Sequence, residues 1–225
     1  MVDQTLDELG KLPLTSDVHK LADVIYMAVS AGLVKIRKGQ KPSGTLGMAK
    51  KGRACRDGRV ATGLDRPVTF SGVQTCAHEI AHLLNADHDG FGHAKNCPGE
   101  DGYIMSSPRR GGNNSCAFSN CSKKDIAEFI QRGESGCLFE DKACHVIALP
   151  NKAANLPGDV MDGPTFCEEY YRAPRYSNST YVKLESDLKQ CVFRCLVEET
   201  NRRGKLQNRT SFAIDGTLCS ESEPP

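Results

Sequence analysis

Residues 78–89, HEIAHLLNADHD, constrain the fold of this chain more than any other segment. Residues four apart on a helix lie on the same face, so His78 and His82 can both reach one metal ion. Glu79 follows the first histidine directly, and its carboxylate would lie beside that ion without binding it. The spacing therefore predicts a helix that supplies two metal ligands and a general base for a water that the metal activates.

His88 is the third ligand that the segment predicts, and three protein ligands leave one position open for water or substrate. A continuous helix would carry His88 about 9 Å along its axis from His82, at a rise of about 1.5 Å per residue. The helix must therefore stop between them, and the chain must turn back. Asn85 is the predicted stop, because asparagine is second to glycine in accepting a positive φ, at a cost of about 1 kcal/mol.

Two helices are predicted from apolar residues at helical spacing. The first extends over residues 68–85, contains the metal ligands and has Ser71 as its N-cap. The second extends over residues 122–133 and has Ser122 as its N-cap. Strands are predicted at residues 23–30, 45–52 and 59–65.

The character of the sequence changes after about residue 140. The helical and strand patterns weaken, prolines cluster, and cysteines remain frequent. Small domains that cannot bury a large core often depend on disulfides. We therefore predict a first domain over residues 1–140 and a small, disulfide-rich, irregular module over residues 141–225.

The eleven cysteines lie between Cys55 and Cys219 and lack the paired spacing of zinc fingers. They favour a disulfide framework, which forms in an oxidising compartment. Because the count is odd, one thiol is free, pairs between chains or has lost its partner. Four N-glycosylation sequons agree with secretion. Their asparagines are Asn113, Asn120, Asn178 and Asn208.

The formal net charge of +1 gives no electrostatic reason to expect nucleic acid or a membrane surface as the main partner. The longest apolar run, residues 21–34, contains Asp23 and is too short to span a bilayer, so a buried strand is predicted there. The basic stretch from Lys35 to Arg59 could steer acidic substrates. We expect it instead to form a solvated loop and to guard a sheet edge.

The metal-binding segment resembles that of the metzincin zinc proteases, whose usual pattern has glycine where Asn85 stands. Asp89, directly after the third histidine, resembles the adamalysin or reprolysin branch, which includes the ADAM and ADAMTS-like proteases. YIMSS, which contains Met105, resembles the methionine turn of metzincins. Three further stretches resemble the edge strand, the closing helix and the cysteine-rich module of that branch. They are GTLGMAKKGRAC (44–55), residues 116–138, and residues 156–167 with DGTLC (215–219).

The resemblance implies an α/β (α+β) catalytic domain with a mixed twisted sheet and an active-site helix. It implies one catalytic Zn²⁺ bound by His78, His82 and His88, with Ca²⁺ as a further candidate cofactor. Glu79 would be the general base, and Met105 would form the apolar base of the site. The strand near residues 46–50 would receive an extended substrate as an additional strand.

Disulfide pairings are inferred from the same resemblance. Cys55 would pair with Cys137 and tie the edge strand to the closing helix. Cys97 would pair with Cys121 in the lower part of the domain. Cys76 and Cys116 are the pair left over after those two.

The function implied is that of a secreted zinc endopeptidase, expected to be a monomer, that cleaves extracellular matrix or plasma proteins such as fibrinogen, fibronectin or gelatin. The overall likeness is to tick salivary metalloproteases. Catalytic domains of this branch are longer before the zinc helix, so we expect the chain to lack the prodomain, the first strands and the signal peptide. The alternative is a catalytically impaired form that binds other proteins through its cysteine-rich module.

Overall fold

The computed structural model describes most of the chain. The described residues are 21–35, 43–66, 68–107, 114–140, 156–172, 174–189, 191–201, 204–214 and 216–219, together with Leu6, Glu8 and Lys11. Two compact units are present. The first contains Met1–Asp65 and Ser71–His145, and the second contains Arg66–Phe70 and Val146–Pro225.

The first unit contains a mixed three-stranded sheet and a separate antiparallel pair. Its strands are β1 (Ile25–Val29), β2 (Leu33–Lys35), β3 (Ser43–Thr45), β4 (Gly47–Ala49) and β5 (Val60–Leu64). β5 lies in the middle of the sheet, parallel to β1 and antiparallel to β4, while β2 pairs with β3. This arrangement confirms the predicted mixed sheet, and β4 is an edge strand of it within the described residues.

Burial follows from the position of each strand in the sheet. The first four residues of β5 are buried, as expected for a central strand that is covered on both faces. β1 was predicted to be a buried strand, but its residues are half-buried or exposed. One face of this segment is nevertheless covered, since Val24 and Tyr26 pack against the cluster that contains Ala54, Ala61 and Leu83.

Helix α1 (Gly72–Leu83) carries the first two metal-ligand candidates and begins four residues later than predicted. Ser71 occupies the N-cap position, but its side chain makes no capping hydrogen bond. The Asp65 carboxylate at the end of β5 accepts a 2.8 Å hydrogen bond from the Gly72 amide instead. The cap thus comes from a residue seven positions earlier, and it joins the start of the helix to the end of the central strand.

Helix α2 (Asn120–Gln131) begins earlier than predicted. Its N-cap is Ser119, whose hydroxyl accepts a hydrogen bond of 3.1 Å from the Ser122 amide. Ser122, the predicted N-cap, therefore lies in the first turn of the helix. Short 3₁₀ segments complete the described part of this unit, at Gly92–Ala94, Gly99–Asp101 and Gly133–Phe139.

Among the described residues of the first unit, two disulfides join Cys55 to Cys137 and Cys97 to Cys121. These are the first two pairings that the family resemblance implies.

The inferred pairing of Cys76 with Cys116 is wrong, because both are free cysteines in the structure. The Gln74 side chain donates a hydrogen bond to the Ser115 carbonyl, so this face of α1 is turned toward the segment that contains Cys116. Cys76 lies two residues further along the helix, about 200° around its axis. Its thiol therefore points away from Cys116.

The second unit is more regular than the predicted irregular module. It contains an antiparallel sheet with the strand order β6-β7-β8. The strands are β6 (Tyr176–Tyr181), β7 (Val192–Glu199) and β8 (Leu206–Phe212), and the helices are α3 (Pro157–Val160), α4 (Gly163–Tyr170) and α5 (Glu185–Leu188). Buried residues alternate along β7, which places Phe193, Cys195 and Val197 in an aromatic core.

The disulfide-rich character of this unit agrees with the prediction. Cys167 pairs with Cys195 inside the aromatic core, and Cys191 pairs with Cys219. Among the described helices of the whole chain, none has the length and apolar composition needed to cross a membrane.

Candidate metal centre

Helix α1 and the turn after it bring three histidine rings together. The Nε2 atoms of His78 and His82 each lie 3.1 Å from the Nε2 atom of His88. The first two histidines share one face of the helix because they are four residues apart. The third reaches the same point only because the chain reverses direction after Leu83.

The reversal is a Schellman motif at the C-terminus of α1. Asn85 has a φ of 77°, the left-handed conformation that the sequence predicts. The Asn85 amide donates to the His82 carbonyl, and the Ala86 amide donates to the Ala81 carbonyl, each at 2.9 Å. Ala81 and Ala86 are both buried in one apolar cluster, which is the apolar contact that usually accompanies this motif.

Backbone carbonyls orient two of the three rings. The Nδ1 atom of His78 lies 2.8 Å from the Ile104 carbonyl oxygen, and that of His82 lies 2.8 Å from the Ala86 carbonyl oxygen. A carbonyl can only accept, so each Nδ1 carries the proton and each Nε2 presents a lone pair. Burial lowers the pKa of His82 to about 4 and also lowers the pKa of His88, which favours the neutral rings that bind metal.

This donor set fits a zinc ion. Three lone pairs that converge within hydrogen-bond distance repel one another unless a cation lies between them, and neutral imidazole nitrogens are ligands that zinc prefers. The three histidines form one of the clusters of ligating side chains in the described residues. Three protein ligands would leave the remaining zinc position open for substrate or water.

Glu79 lies next to this cluster with only 5% of its surface exposed. Burial raises its pKa to about 8, and the positive charge of Lys35 partly opposes that rise. A carboxyl group in this environment can hold and release a proton near neutral pH.

The edge strand fixes the space available to Glu79. A Cβ atom at Gly47, on β4, would lie 2.6 Å from Glu79 Oε1 and 2.9 Å from its Cδ. A side chain at that position would therefore push the Glu79 carboxyl group out of place. Glycine at position 47 allows the backbone of the strand to lie directly against the carboxyl group.

Met105 is completely buried and packs in one cluster with Ala81, Ala86 and Ile104. Its carbonyl accepts a 3.0 Å hydrogen bond from the Asp89 amide, so the segment after His88 is attached to the turn that contains Met105. Met105 thus lies on the apolar side of the helix end and turn that carry the histidines. This is the position that the family resemblance predicts for it.

Asp89 is 1% exposed and anchors the same segment to α2. Its Oδ1 atom accepts hydrogen bonds from the hydroxyls of Ser119 at 2.6 Å and Ser122 at 3.4 Å. The N-cap of α2 therefore also holds the chain just after the third histidine. From the sequence, Asp89 was recognised only as a mark of the family, since its partners lie about 30 residues away.

A cleft with a volume of about 580 Å³ opens beside the histidines and Glu79. Its other walls come from residues 44–49 of the β3–β4 segment and from Phe91, Ile104, Ser106 and Ser107. Two lysines also line it. Lys51 is paired with Asp87, whose carboxylate oxygen lies 2.5 Å from the lysine Nζ, and the other lysine is Lys35.

Sequence reasoning missed the roles of Gly47 and Lys35. Both depend on which strands lie beside the cleft, and nothing in their local spacing signals it. His93 is exposed but lies within 4 Å of carboxylate oxygens of Asp87 and Asp125. Residues 108–113, which include the predicted glycosylation site Asn113, lie outside the described part of the chain.

Comparison with known proteins agrees with this geometry. Residues 23–141 match the model of the Reprolysin (M12B) family zinc metalloprotease. A disintegrin and metalloproteinase with thrombospondin motifs 6, from Homo sapiens, is 30% identical over 183 residues, which cover 80% of this chain and 15% of the human protein. Venom metalloproteinase antarease-like TfasMP_A, from Tityus fasciolatus, is 33% identical over 135 residues, which cover 54% of this chain and 56% of the venom protein.

A helix with paired histidines, a turn that returns a third histidine, and a buried glutamate beside them define a zinc-metalloprotease type of site. The chain belongs to the reprolysin (M12B) family of zinc metalloproteases. It spans less than two thirds of the length of the two relatives described above. The particular likeness to tick salivary proteins stays a prediction.

Proposed function

We propose that this chain is a secreted, zinc-dependent endopeptidase that cleaves extracellular proteins. The observation that carries the proposal is the convergence of three histidine Nε2 atoms beside the buried carboxyl group of Glu79. The match to a zinc-metalloprotease family supports it.

His78, His82 and His88 would hold the zinc ion through Nε2. When bound, zinc supplies a Lewis acid that polarises the scissile carbonyl and makes a water acidic near neutral pH. Glu79 accepts a proton from the attacking water and passes it to the leaving amine. Met105 supports the turn around the histidines without binding the metal.

The edge strand β4 is the proposed site for the substrate backbone. An extended peptide can pair with the exposed edge of a sheet and place alternate side chains in pockets. β4 borders the cleft that contains Glu79 and the histidines, which supports this role. The peptide bond to be cleaved would then lie across the mouth of the metal site.

The two compact units support the proposal of a catalytic domain over residues 1–140 followed by a disulfide-stapled module over residues 141–225. Four disulfides in the described residues support secretion into an oxidising compartment. Matrix or plasma proteins such as fibrinogen, fibronectin and gelatin stay the predicted substrates. A bound Ca²⁺ and a monomeric state also stay predictions.

The test compares the full chain with its Glu79→Gln variant in cleavage of gelatin and fibrinogen, with and without a zinc chelator. We expect the chain to cleave at least one of them and the chelator to abolish cleavage. Loss of the general base should lower the rate by roughly 10²–10⁴-fold. Equal rates for the two forms would contradict the proposed role of Glu79.

A control separates loss of chemistry from loss of folding. Glu128→Gln changes a surface carboxylate on α2, whose only described ion pair is with Lys124 at 3.8 Å, and it should leave cleavage unchanged. Absence of cleavage in the unmodified chain, with zinc bound, would reject the peptidase proposal for this chain. That result would favour the alternative of a binding protein.

A further inference from the structure

Lys35 lines the cleft, and the proposed reaction gives it no step. It ends β2, is half-buried, and lines the same cleft as Glu79 and His88. β2 pairs with β3, with Lys35 opposite Ser43, so the hairpin holds the lysine beside the segment that leads to the edge strand. Sheet pairing therefore fixes the backbone of Lys35 beside the cleft.

Within the part of the chain that the structure describes, the charge of Lys35 is not matched by a close acidic partner. Among the described residues, no carboxylate lies within ion-pair distance of its Nζ atom, although other lysines of this unit have such partners. Lys51, the other lysine of the cleft, is neutralised by Asp87 at 2.5 Å. The remaining carboxyl group of the cleft, that of Glu79, packs against Gly47 and the metal site.

An unmatched ammonium group in a half-buried position attracts a carboxylate strongly, because water screens the pair less than on an open surface. The cleft wall also contains neutral residues, both apolar and polar: Leu46, Met48, Phe91, Ile104, Gln74, Ser106 and Ser107. Such a wall accepts apolar side chains but gives little discrimination between them. A charged group beside it provides the selective contact.

We propose that Lys35 makes the cleft selective for protein segments that carry an aspartate or glutamate beside the scissile bond. The inference rests on the proposed peptidase function and names its substrate class. It also revises the sequence-based expectation for residues 35–59, since this lysine faces the cleft instead of a solvated loop.

The test uses two fluorogenic peptides that differ only by Glu or Gln at one position, with that position scanned over three residues on each side of the cleaved bond. We expect kcat/KM to favour the Glu peptide by about tenfold at one or more positions. Lys35→Gln should remove the preference, so that the ratio of kcat/KM for the Glu peptide to that for the Gln peptide falls to about one. Because the charge of Lys35 also acts on Glu79, a change common to both peptides does not count as loss of the preference. Lys35→Glu should reverse the preference.

Lys50→Gln is the matched control, because Lys50 is exposed on the adjoining segment and does not line the cleft. It should keep the preference of the unmodified chain. An equal preference in Lys50→Gln, Lys35→Gln and the unmodified chain would overturn the proposal. An equal loss on both peptides in Lys35→Gln would also overturn it, since that pattern indicates a general role in catalysis or folding.

A binding measurement tests this inference independently of the proposed peptidase function. Fluorescence anisotropy of the same peptides on the Glu79→Gln variant measures the preference without cleavage. Tighter binding of the Glu peptide, lost on adding Lys35→Gln, would support the inference even if the unmodified chain cleaves nothing. Cleavage without any preference in rate or binding would overturn the inference and leave the peptidase proposal standing.

Discussion

The two units of the chain bury different kinds of side chain. In the first unit, the metal centre holds buried or half-buried polar groups, including Glu79, Asp89 and the three histidines. In the second unit, the core is an aromatic cluster closed by a buried disulfide between Cys167 and Cys195. Polar groups are costly to bury unless they are paired, so the first unit depends on hydrogen bonds around its candidate site, whereas aromatic contacts and a disulfide fill the core of the second.

The aromatic core explains how so small a unit can hold together. Phe166 stacks on Tyr170 with ring centroids 5.1 Å apart, and it also contacts Phe193 at 5.2 Å. The guanidinium of Arg66 lies 4.5 Å from the centre of the Tyr170 ring. Contacts of this kind each add about 0.5–1.5 kcal/mol beyond the area that they bury.

The largest effect on stability is expected from removing the buried disulfide of the second unit. Replacing Cys167 and Cys195 together by serine should lower its free energy of unfolding by about 2–4 kcal/mol, because the unfolded chain gains freedom and the core receives two hydroxyls. A urea titration followed by tyrosine fluorescence measures the change. The zinc content of the chain should stay the same.

Cys116→Ser is the control for that change, because Cys116 is exposed and unpaired. It should leave the urea midpoint unchanged. A shift equal to that of the double variant would mean that the disulfide contributes nothing specific to the second unit.

An intermediate effect is expected at Gly47, in the first unit. Gly47→Ala should lower kcat/KM by about tenfold, because its Cβ would displace the end of the Glu79 side chain. The melting temperature should change little, since a flexible side chain can move aside. Steady-state kinetics and a thermal melt measure the two quantities.

Gly44→Ala is the matched control on the preceding strand β3, since a Cβ at Gly44 would meet no atom within 4 Å. Its kcat/KM should equal that of the unmodified chain. Equal losses in the two variants would show that the backbone of this segment, and not the space around Glu79, controls the rate.

The smallest effect is expected at Asn85. Its φ of 77° strains any residue other than glycine, so Asn85→Gly should raise the free energy of unfolding by about 0.5 kcal/mol. Asn85→Ala should lower it by about 1 kcal/mol, because alanine tolerates this conformation less well. Chemical denaturation of the three forms would contradict this account if Asn85→Gly were the least stable.

The metal centre could be predicted because its geometry is local. All of it lies in helix α1 and the turn that follows, which contain His78, His82, Asn85 and His88. The helix caps could not be predicted, since Asp65, just after β5, caps α1 in place of the side chain of Ser71. The direction of the Cys76 side chain could not be predicted either, because it depends on how α1 is rotated about its axis.

Residues whose roles depend on strand pairing could also not be predicted from the sequence. Gly47 and Lys35 acquire their roles only when the edge strand and the β2–β3 pair border the cleft. The sheet of the second unit was missed because β6 and β8 consist mostly of polar residues, so their sequences show no apolar alternation. Polar side chains dominate β6, so the pattern of that strand does not reveal it.

The most direct test of the account is the zinc content of the purified chain. Elemental analysis should find about one zinc per chain in the unmodified protein and in Glu79→Gln, because in the proposed site the three histidines hold the ion and the glutamate does not. His88→Ala should lose the zinc while keeping a folded second unit. Undiminished zinc in His88→Ala, or loss of zinc in Glu79→Gln, would contradict the metal centre described above.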